Sequence, residues 1–229
     1  MAKNLHPDDY PGWHLLVGFL FFVGMTVMLA AIAEDVVTGD PLTVVDAQLS
    51  GWLHAHSTPL LTTLFARVTL LGSTLLAGMI AGLVALYMLR RRQLYWFCAF
   101  VLSVYGGMIL NRLLKYAFQR ARPRFDDPVF SFTGYSFPSG HTMTATVVYG
   151  AIAVVVFTRN KNRAFRMVVI ACAALLIGLV GFSRIYLGAH YLSDVLGAIA
   201  EGLAWLSLCF TGVYFLWRRH HRRSRNSKT

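Results

Sequence analysis

The sequence predicts an all-α, polytopic membrane protein: six transmembrane helices in a bundle, with a short interfacial amphipathic helix. Three observations carry this. The 229 residues are 56% hydrophobic and only 14% charged, where a soluble domain carries nearer a quarter charged residues. Six apolar segments, near 13–33, 67–89, 94–114, 141–158, 167–183 and 194–217, approach or exceed the roughly 20 residues that cross a bilayer. The charges gather in short gaps between them, as membrane topology requires. A single membrane-embedded domain over 1–229 is expected. A net charge of +11 would suggest nucleic acid in a soluble protein. Here it follows from the basic gaps, so the bilayer is the expected partner and nucleic acid is not.

The first apolar segment could pass for a signal peptide, because Ala31-Ile32-Ala33 resembles a cleavage site. Its flank, however, holds Asp8 and Asp9 with one Lys, and the run is long for a signal. It reads as a true span. Before the second span lies an acidic stretch with Gly39, Pro41 and Pro59. Within 43–55, Val44, Val45, Leu49, Trp52 and Leu53 fall at roughly helical spacing, which predicts an amphipathic helix lying at the interface. His54 and His56 have no partner ligands nearby in sequence and read as interfacial polar residues. Cys98, Cys172 and Cys209 all lie inside apolar runs without metal-type spacing, so packing is expected rather than a disulfide or metal site.

With six spans, fourteen cations fall on one side: Lys3, Arg90–Arg92, the cluster from Arg159 to Arg166, and the tail from Arg218 to Lys228. Seven fall on the other: Arg67, Arg112, Lys115, Arg120, Arg122, Arg124 and Arg184. The positive-inside rule then predicts cytoplasmic termini and an outward gap between spans three and four. That gap holds four cations against the rule, so something other than orientation keeps them there.

The outward gap ends in "YSFPSGHTMT", residues 135–144, directly before the fourth span. Pro and Gly mark a loop, and Ser139 suits a helix N-cap. A helix N-terminus offers free N–H groups and a positive dipole end, both suited to an anion. His141 would stand beside that anion with a proton to give. Lys115 and Arg122 are seven apart. If the helix continues, they share a face and could clamp a dianion, although isolated basic residues here would read as snorkelling. The next outward gap brings Arg184, His190 and Asp194. A four-residue spacing stacks His190 on Asp194 if both are helical. A carboxylate holding one imidazole nitrogen leaves the other as acceptor or nucleophile. Together the gaps supply two imidazoles, a carboxylate, three cations, the Ser139 hydroxyl and the Gly140 N–H. This is a set for phosphoryl transfer, and no carboxylate or His/Cys cluster calls for a metal or other cofactor.

These blocks resemble the three signatures of the type 2 phosphatidic acid phosphatase (PAP2) superfamily: Lys115-x6-Arg122-Pro123, Pro138-Ser139-Gly140-His141, and Ser183-Arg184-x5-His190-x3-Asp194. All eleven specified residues match in order and spacing. The resemblance implies a bacterial plasma-membrane enzyme that hydrolyses lipid phosphates or diphosphates, such as phosphatidic acid, phosphatidylglycerol phosphate or undecaprenyl diphosphate. It implies that His190 attacks phosphorus, Asp194 orients it, and His141 protonates the leaving oxygen. Lys115, Arg122, Ser139, Gly140 and Arg184 would hold the phosphate, without metal. A lipid phosphotransferase shares the same first step. An anion transporter is disfavoured, because Glu201 is the main ionisable residue deep in a span. A haloperoxidase would not need a bilayer. The charge pattern places the site toward the periplasm. Oligomeric state is not encoded in these motifs.

Overall fold

The computed structural model describes residues 13–126, 128 and 130–226, and among these every regular element is helical. Six stretches are long and apolar enough to cross a membrane: Trp13–Thr38, Pro59–Arg90, Leu94–Phe118, Gly140–Arg159, Arg163–Tyr186 and Leu192–His220. Helix α1 (Trp13–Thr38) is the first span and α2 (Pro41–Ala55) the interfacial helix. The second span runs α3 (Pro59–Val68), a 3₁₀ turn at Thr69–Gly72, then α4 (Thr74–Arg90). It begins earlier than the expected 67, because Pro59 suits a first helical position and the Thr58 hydroxyl accepts from Leu61 N (3.4 Å). The third span is α5 (Leu94–Val101), a π turn at Leu102–Gly106, and α6 (Gly107–Phe118). Spans four and five are α7 (Gly140–Arg159) and α8 (Arg163–Tyr186); span six is the start of α9 (Leu192–Asn226).

Helix α7 is the centre of the bundle. It packs on α4, α6, α8 and α9, and Ala145, Val147, Val148 and Ala151 along it are fully buried. Helix α1 is the opposite case: among its residues only Ile32 and Ala33 are buried. It lies antiparallel along α9, with Gly18 against Thr211 near one end and Ile32 against Gly197 near the other. Span three approaches the centre through glycine. A Cβ on Gly106 would lie 2.6 Å from the Trp205 ring, and one on Gly107 would lie 2.8 Å from Met143 Cε. The two glycines leave room for the Trp205 ring and the Met143 side chain against the backbone of span three, and this packing sets the height of Asn111 and Lys115 one and two turns further along.

Helix α2 corrects the expected amphipathic pattern. Its buried face is Asp46, Ser50 and Leu53, whereas Val44, Val45 and Trp52 are exposed. Leu49 and Leu53 pack on Ile185, Tyr186, Leu187 and Val195. The apolar residues therefore divide between two environments: one set grips the bundle and the other is left outward, as suits a helix lying in the interface. An acid sits on the face that grips.

Candidate active site

Even-numbered crossing brings the ends of α6, α8 and the starts of α7 and α9 to the end of the bundle remote from Trp13 and His220. The predicted site residues meet there, though two reach it by routes the spacing does not suggest. Helix α6 ends at Phe118, and Gln119 adopts a left-handed conformation (φ 47°). Arg122 is therefore not two turns above Lys115 on one helix face; the chain has turned back. The guanidinium still arrives, held by Nε donating to Gly134 O (3.0 Å) and Nη1 donating to Ala189 O (2.7 Å). His190 likewise lies before α9, not inside it. Asp194, in the first turn, reaches back to accept from Tyr191 N (2.8 Å). This is the acidic half of a capping box, satisfying an N–H that the helix cannot.

That cap aims the carboxylate at the imidazole. Asp194 Oδ2 is 3.3 Å from His190 Nδ1, and Arg122 Nη1 is 3.3 Å from His190 Nε2. An arginine only donates, so Nε2 is the acceptor and Nδ1 carries the proton toward Asp194. Burial pushes His190 down to about 3, only partly opposed by the hydrogen bond and charge of Asp194. The ring is neutral at pH 7, with the Nε2 lone pair directed at the cation. Burial also pushes Arg122 below the ordinary guanidinium value, the charge of Asp194 partly offsetting it.

The other cations surround the same space. Lys115 Nζ donates to Tyr135 O (2.9 Å) and Ser136 O (3.1 Å). Arg184 is 5% exposed; its Nη1 donates to Thr69 Oγ1 (3.1 Å), and its buried Nε has no hydrogen-bond partner among the described residues. Phe132 lies across both arginines, its ring 4.9 Å from Arg184 Cζ and 5.8 Å from Arg122 Cζ. His141 stands in the field of Arg184, Arg122 and Lys115. It can sit there because Gly72 has no side chain: a Cβ would lie 2.7 Å from His141 O.

Ser139 occupies the N-cap of α7, but its side chain makes no capping bond. Its hydroxyl accepts from Thr142 Oγ1 (3.0 Å), and its N–H donates to Asp194 O (3.0 Å), tying the starts of α7 and α9 together. The N–H groups of Gly140 and His141, in the first turn, have no intrahelical acceptor. With the unpartnered Arg184 Nε, they form a donor set suited to the oxygens of a phosphate.

Four residues outside the sequence motifs complete the geometry. Ser136 hydrogen-bonds Asp194 Oδ2 and lies 3.4 Å from His190 Nδ1. Arg120 donates through Nη1 to Asp194 Oδ1 (2.7 Å) and through Nη2 to Asp46 Oδ2 (2.7 Å). Ser193 bonds Asp46 through both its N–H and its hydroxyl. The readable signals were a fourth cation in a gap that disfavours cations, and an acid on the α2 face carrying Leu49 and Leu53.

Fold and site define a membrane-embedded enzyme of phosphate esters, and comparison with known proteins agrees. The family model described as "PAP2 superfamily" matches residues 96–218. The chain is 34% identical over 191 residues to phosphatidylglycerophosphatase B of Bacillus subtilis (strain 168), covering 81% of this chain and 87% of that protein. It is 40% identical over 130 residues to a lipid A 1-phosphatase of Rhizobium etli, covering 52% of this chain and 51% of that protein. It superposes on the crystal structure of a transmembrane PAP2 type phosphatidylglycerolphosphate phosphatase from Bacillus subtilis with a TM-score of 0.69 at 29% identity, over 86% of this chain and 94% of that one. The chain belongs to the PAP2 superfamily, within its multi-pass membrane lipid phosphatases.

Proposed function

We propose that this protein removes phosphate from a membrane lipid phosphate or diphosphate through a phosphohistidine at His190. The observation that carries the reading is the tautomer: Asp194 at Nδ1 and Arg122 at Nε2 leave the Nε2 lone pair facing a cluster of cations. Nε2 attacks phosphorus as the bond to the lipid oxygen breaks. Asp194 stabilises the positive charge that develops on the ring. Lys115, Arg122, Arg184 and the N–H groups of Gly140 and His141 bind the equatorial oxygens, strengthening as charge spreads over them. The dianion's charge offsets the cations around His141, which donates its proton to the leaving oxygen. His141 then takes a proton from water, hydroxide attacks phosphorus, the P–N bond breaks, and inorganic phosphate leaves with His190 restored. The positive charge needed comes from the chain itself, so activity is expected to persist in EDTA.

The site lies at the end of the spans, so lipid tails can stay in hydrocarbon while the phosphate enters. Each methylene so retained is worth about 0.8 kcal/mol of partitioning, and long-chain lipid phosphates should far outrun glycerol phosphate. Phosphatidylglycerol phosphate is the first substrate to test, because the relative matched over most of its length is a phosphatidylglycerophosphatase; lipid A phosphate and undecaprenyl diphosphate complete the panel. The charge count supports cytoplasmic termini and a site facing the periplasm. The test is purified protein in detergent against that panel, scoring released phosphate and acid-labile, base-stable label on the protein from ³²P-substrate. Free phosphate with histidine-type label is expected. Turnover without label would overturn the covalent route, and label passing to a lipid hydroxyl would make it a transferase. A reporter at Gly134 should map outside; a cytoplasmic signal would overturn the orientation.

A further inference from the structure

The interfacial helix α2 does more than rest on the bundle. Asp46 is 1% exposed and Asp194 is fully buried, and one guanidinium serves both. Arg120 gives Nη1 to Asp194 Oδ1 and Nη2 to Asp46 Oδ2, each at 2.7 Å. A planar fork can bridge two carboxylates in fixed directions, which a lysine cannot. The guanidinium also lies over the Tyr191 ring, 4.4 Å from Cζ to the centroid, so its plane is held from a third side. Burial acts to lower Arg120, but Asp194 and Asp46 more than offset it and hold the guanidinium above its ordinary value. Ser193 closes the arrangement. Its N–H donates to Asp46 Oδ1 (2.9 Å), its hydroxyl bonds Asp46 Oδ2, and it accepts from Arg120 Nη1 (2.6 Å).

We propose that Asp46 is a positioning residue for the reaction: through Arg120 and Ser193 it sets the place and charge of the Asp194 carboxylate that orients His190. This rests on the roles given to His190 and Asp194 above. Two effects are combined. Geometrically, Asp46 holds the far end of the fork, so Nη1 meets Oδ1 and leaves Oδ2 for His190 and Ser136. Electrostatically, Asp46 absorbs part of the Arg120 charge. Without it, the full guanidinium charge would fall on Asp194, weakening its support of a cationic ring. An outer partner of this kind acts on the rate, not on substrate binding, because it touches no part of the phosphate site.

The test uses the full chain purified in detergent, with the monodisperse folded fraction assayed on an aryl phosphate whose good leaving group keeps slow variants measurable. Asp46→Asn should lower kcat by about 10–100-fold, the scale that outer partners of a held histidine have at metal centres, with KM nearly unchanged. In an Asp194→Asn background the same change should cost nothing further, because its effect passes through the missing carboxylate. A wild-type kcat, a raised KM at constant kcat, or losses that multiply in the double variant would each overturn the proposal. If Asp46→Asn does not accumulate in the folded fraction, Ser193→Ala replaces it in the same cycle. It keeps both carboxylates and the guanidinium and removes one hydroxyl. A loss of kcat that vanishes beside Asp194→Asn supports the proposal; no loss, or a multiplying one, overturns it. His190→Ala assayed alongside separates the two levels. Retained turnover there removes the reading beneath the proposal, whereas an inactive His190→Ala with an unaffected Asp46→Asn removes the proposal alone.

Discussion

The two ends of the bundle hold the same kind of side chain in different circumstances. At the end that holds Trp13 and His220, basic residues are the more numerous, and three of them rest on aromatic rings. Arg91 lies 5.5 Å from the Tyr87 centroid, Arg159 5.6 Å from Trp96, and Arg166 3.4 Å from Phe157. This is how interfacial cations behave, covering apolar surface while the charge stays in reach of water and headgroups. At the other end the cations are fewer, and four of them turn inward while Arg67, Arg112 and Arg124 stay exposed. Arg120 pairs with two carboxylates, Arg122 faces an imidazole nitrogen, Lys115 takes two carbonyls, and Arg184 is buried against Thr69. A high count of cations orients a membrane protein. A few that are desolvated and convergent make a site, because each charge acts more strongly where water is excluded.

The largest expected break in that contrast is His190→Ala. The site end then keeps its charges but loses the nucleophile proposed for it. Turnover of lipid phosphate should fall below detection, about 10⁴-fold or more as for other missing nucleophiles, and the ³²P label on the protein should vanish with it. Asp194→Asn comes next. An amide cannot stabilise the ring cation and can favour the wrong tautomer, so kcat should fall about 100-fold or more while KM changes little. A normal kcat with raised KM would show that Asp194 only shapes the pocket. His141→Ala should follow the leaving group: a lipid alkoxide suffers heavily and an aryl oxide much less, a ratio that steady-state assays on both substrates measure directly. Arg184→Lys keeps the charge but loses the fork and the unpartnered Nε. Loss of one charge-assisted hydrogen bond corresponds to about tenfold or more in affinity, read as a rise in KM.

Acid should expose the buried histidine more gently. His190 is held at about 3 by burial, against an ordinary value of 6.5. Between those values the unfolded chain binds a proton that the folded one refuses, so stability falls as pH drops from about 6.5 toward 3. One such proton is worth at most about 1.4 kcal/mol per pH unit. Thermal melts in detergent at stepped pH should show a shallower decline for His190→Gln than for the wild type. The smallest effect is expected at the opposite end of the bundle. Lys161→Gln with Arg163→Gln removes two exposed cations remote from the site, and kcat/KM should stay within about twofold, in the range of neutral surface changes. A large loss there would erase the distinction between the two ends.

What the sequence by itself determined was whatever depends on local composition and order. Twenty apolar residues in a row must satisfy their backbone as a helix in lipid, so the spans were legible, with ends that extend further where Thr58 and Pro59 begin a helix early. The motif residues were legible because phosphate chemistry needs particular groups, and three separate gaps supplied them on one side. What only the tertiary structure decided was direction and partnership. Spacing put Lys115 and Arg122 on one helix face, but the left-handed Gln119 ends that helix, and the arginine returns through the loop to His190. Spacing also put His190 on a helix with Asp194, whereas the carboxylate reaches back as a cap. Asp46 lies 148 residues from Asp194 in the chain and shares its buried helix face with Ser50 and Leu53. Its place on the inward face of α2 hints at a role but names no partner, because the guanidinium is brought beside it only when α2 folds against the end of α8 and the start of α9. Hydrophobic periodicity is a property of neighbours in sequence, and a buried ion pair is a property of neighbours in space.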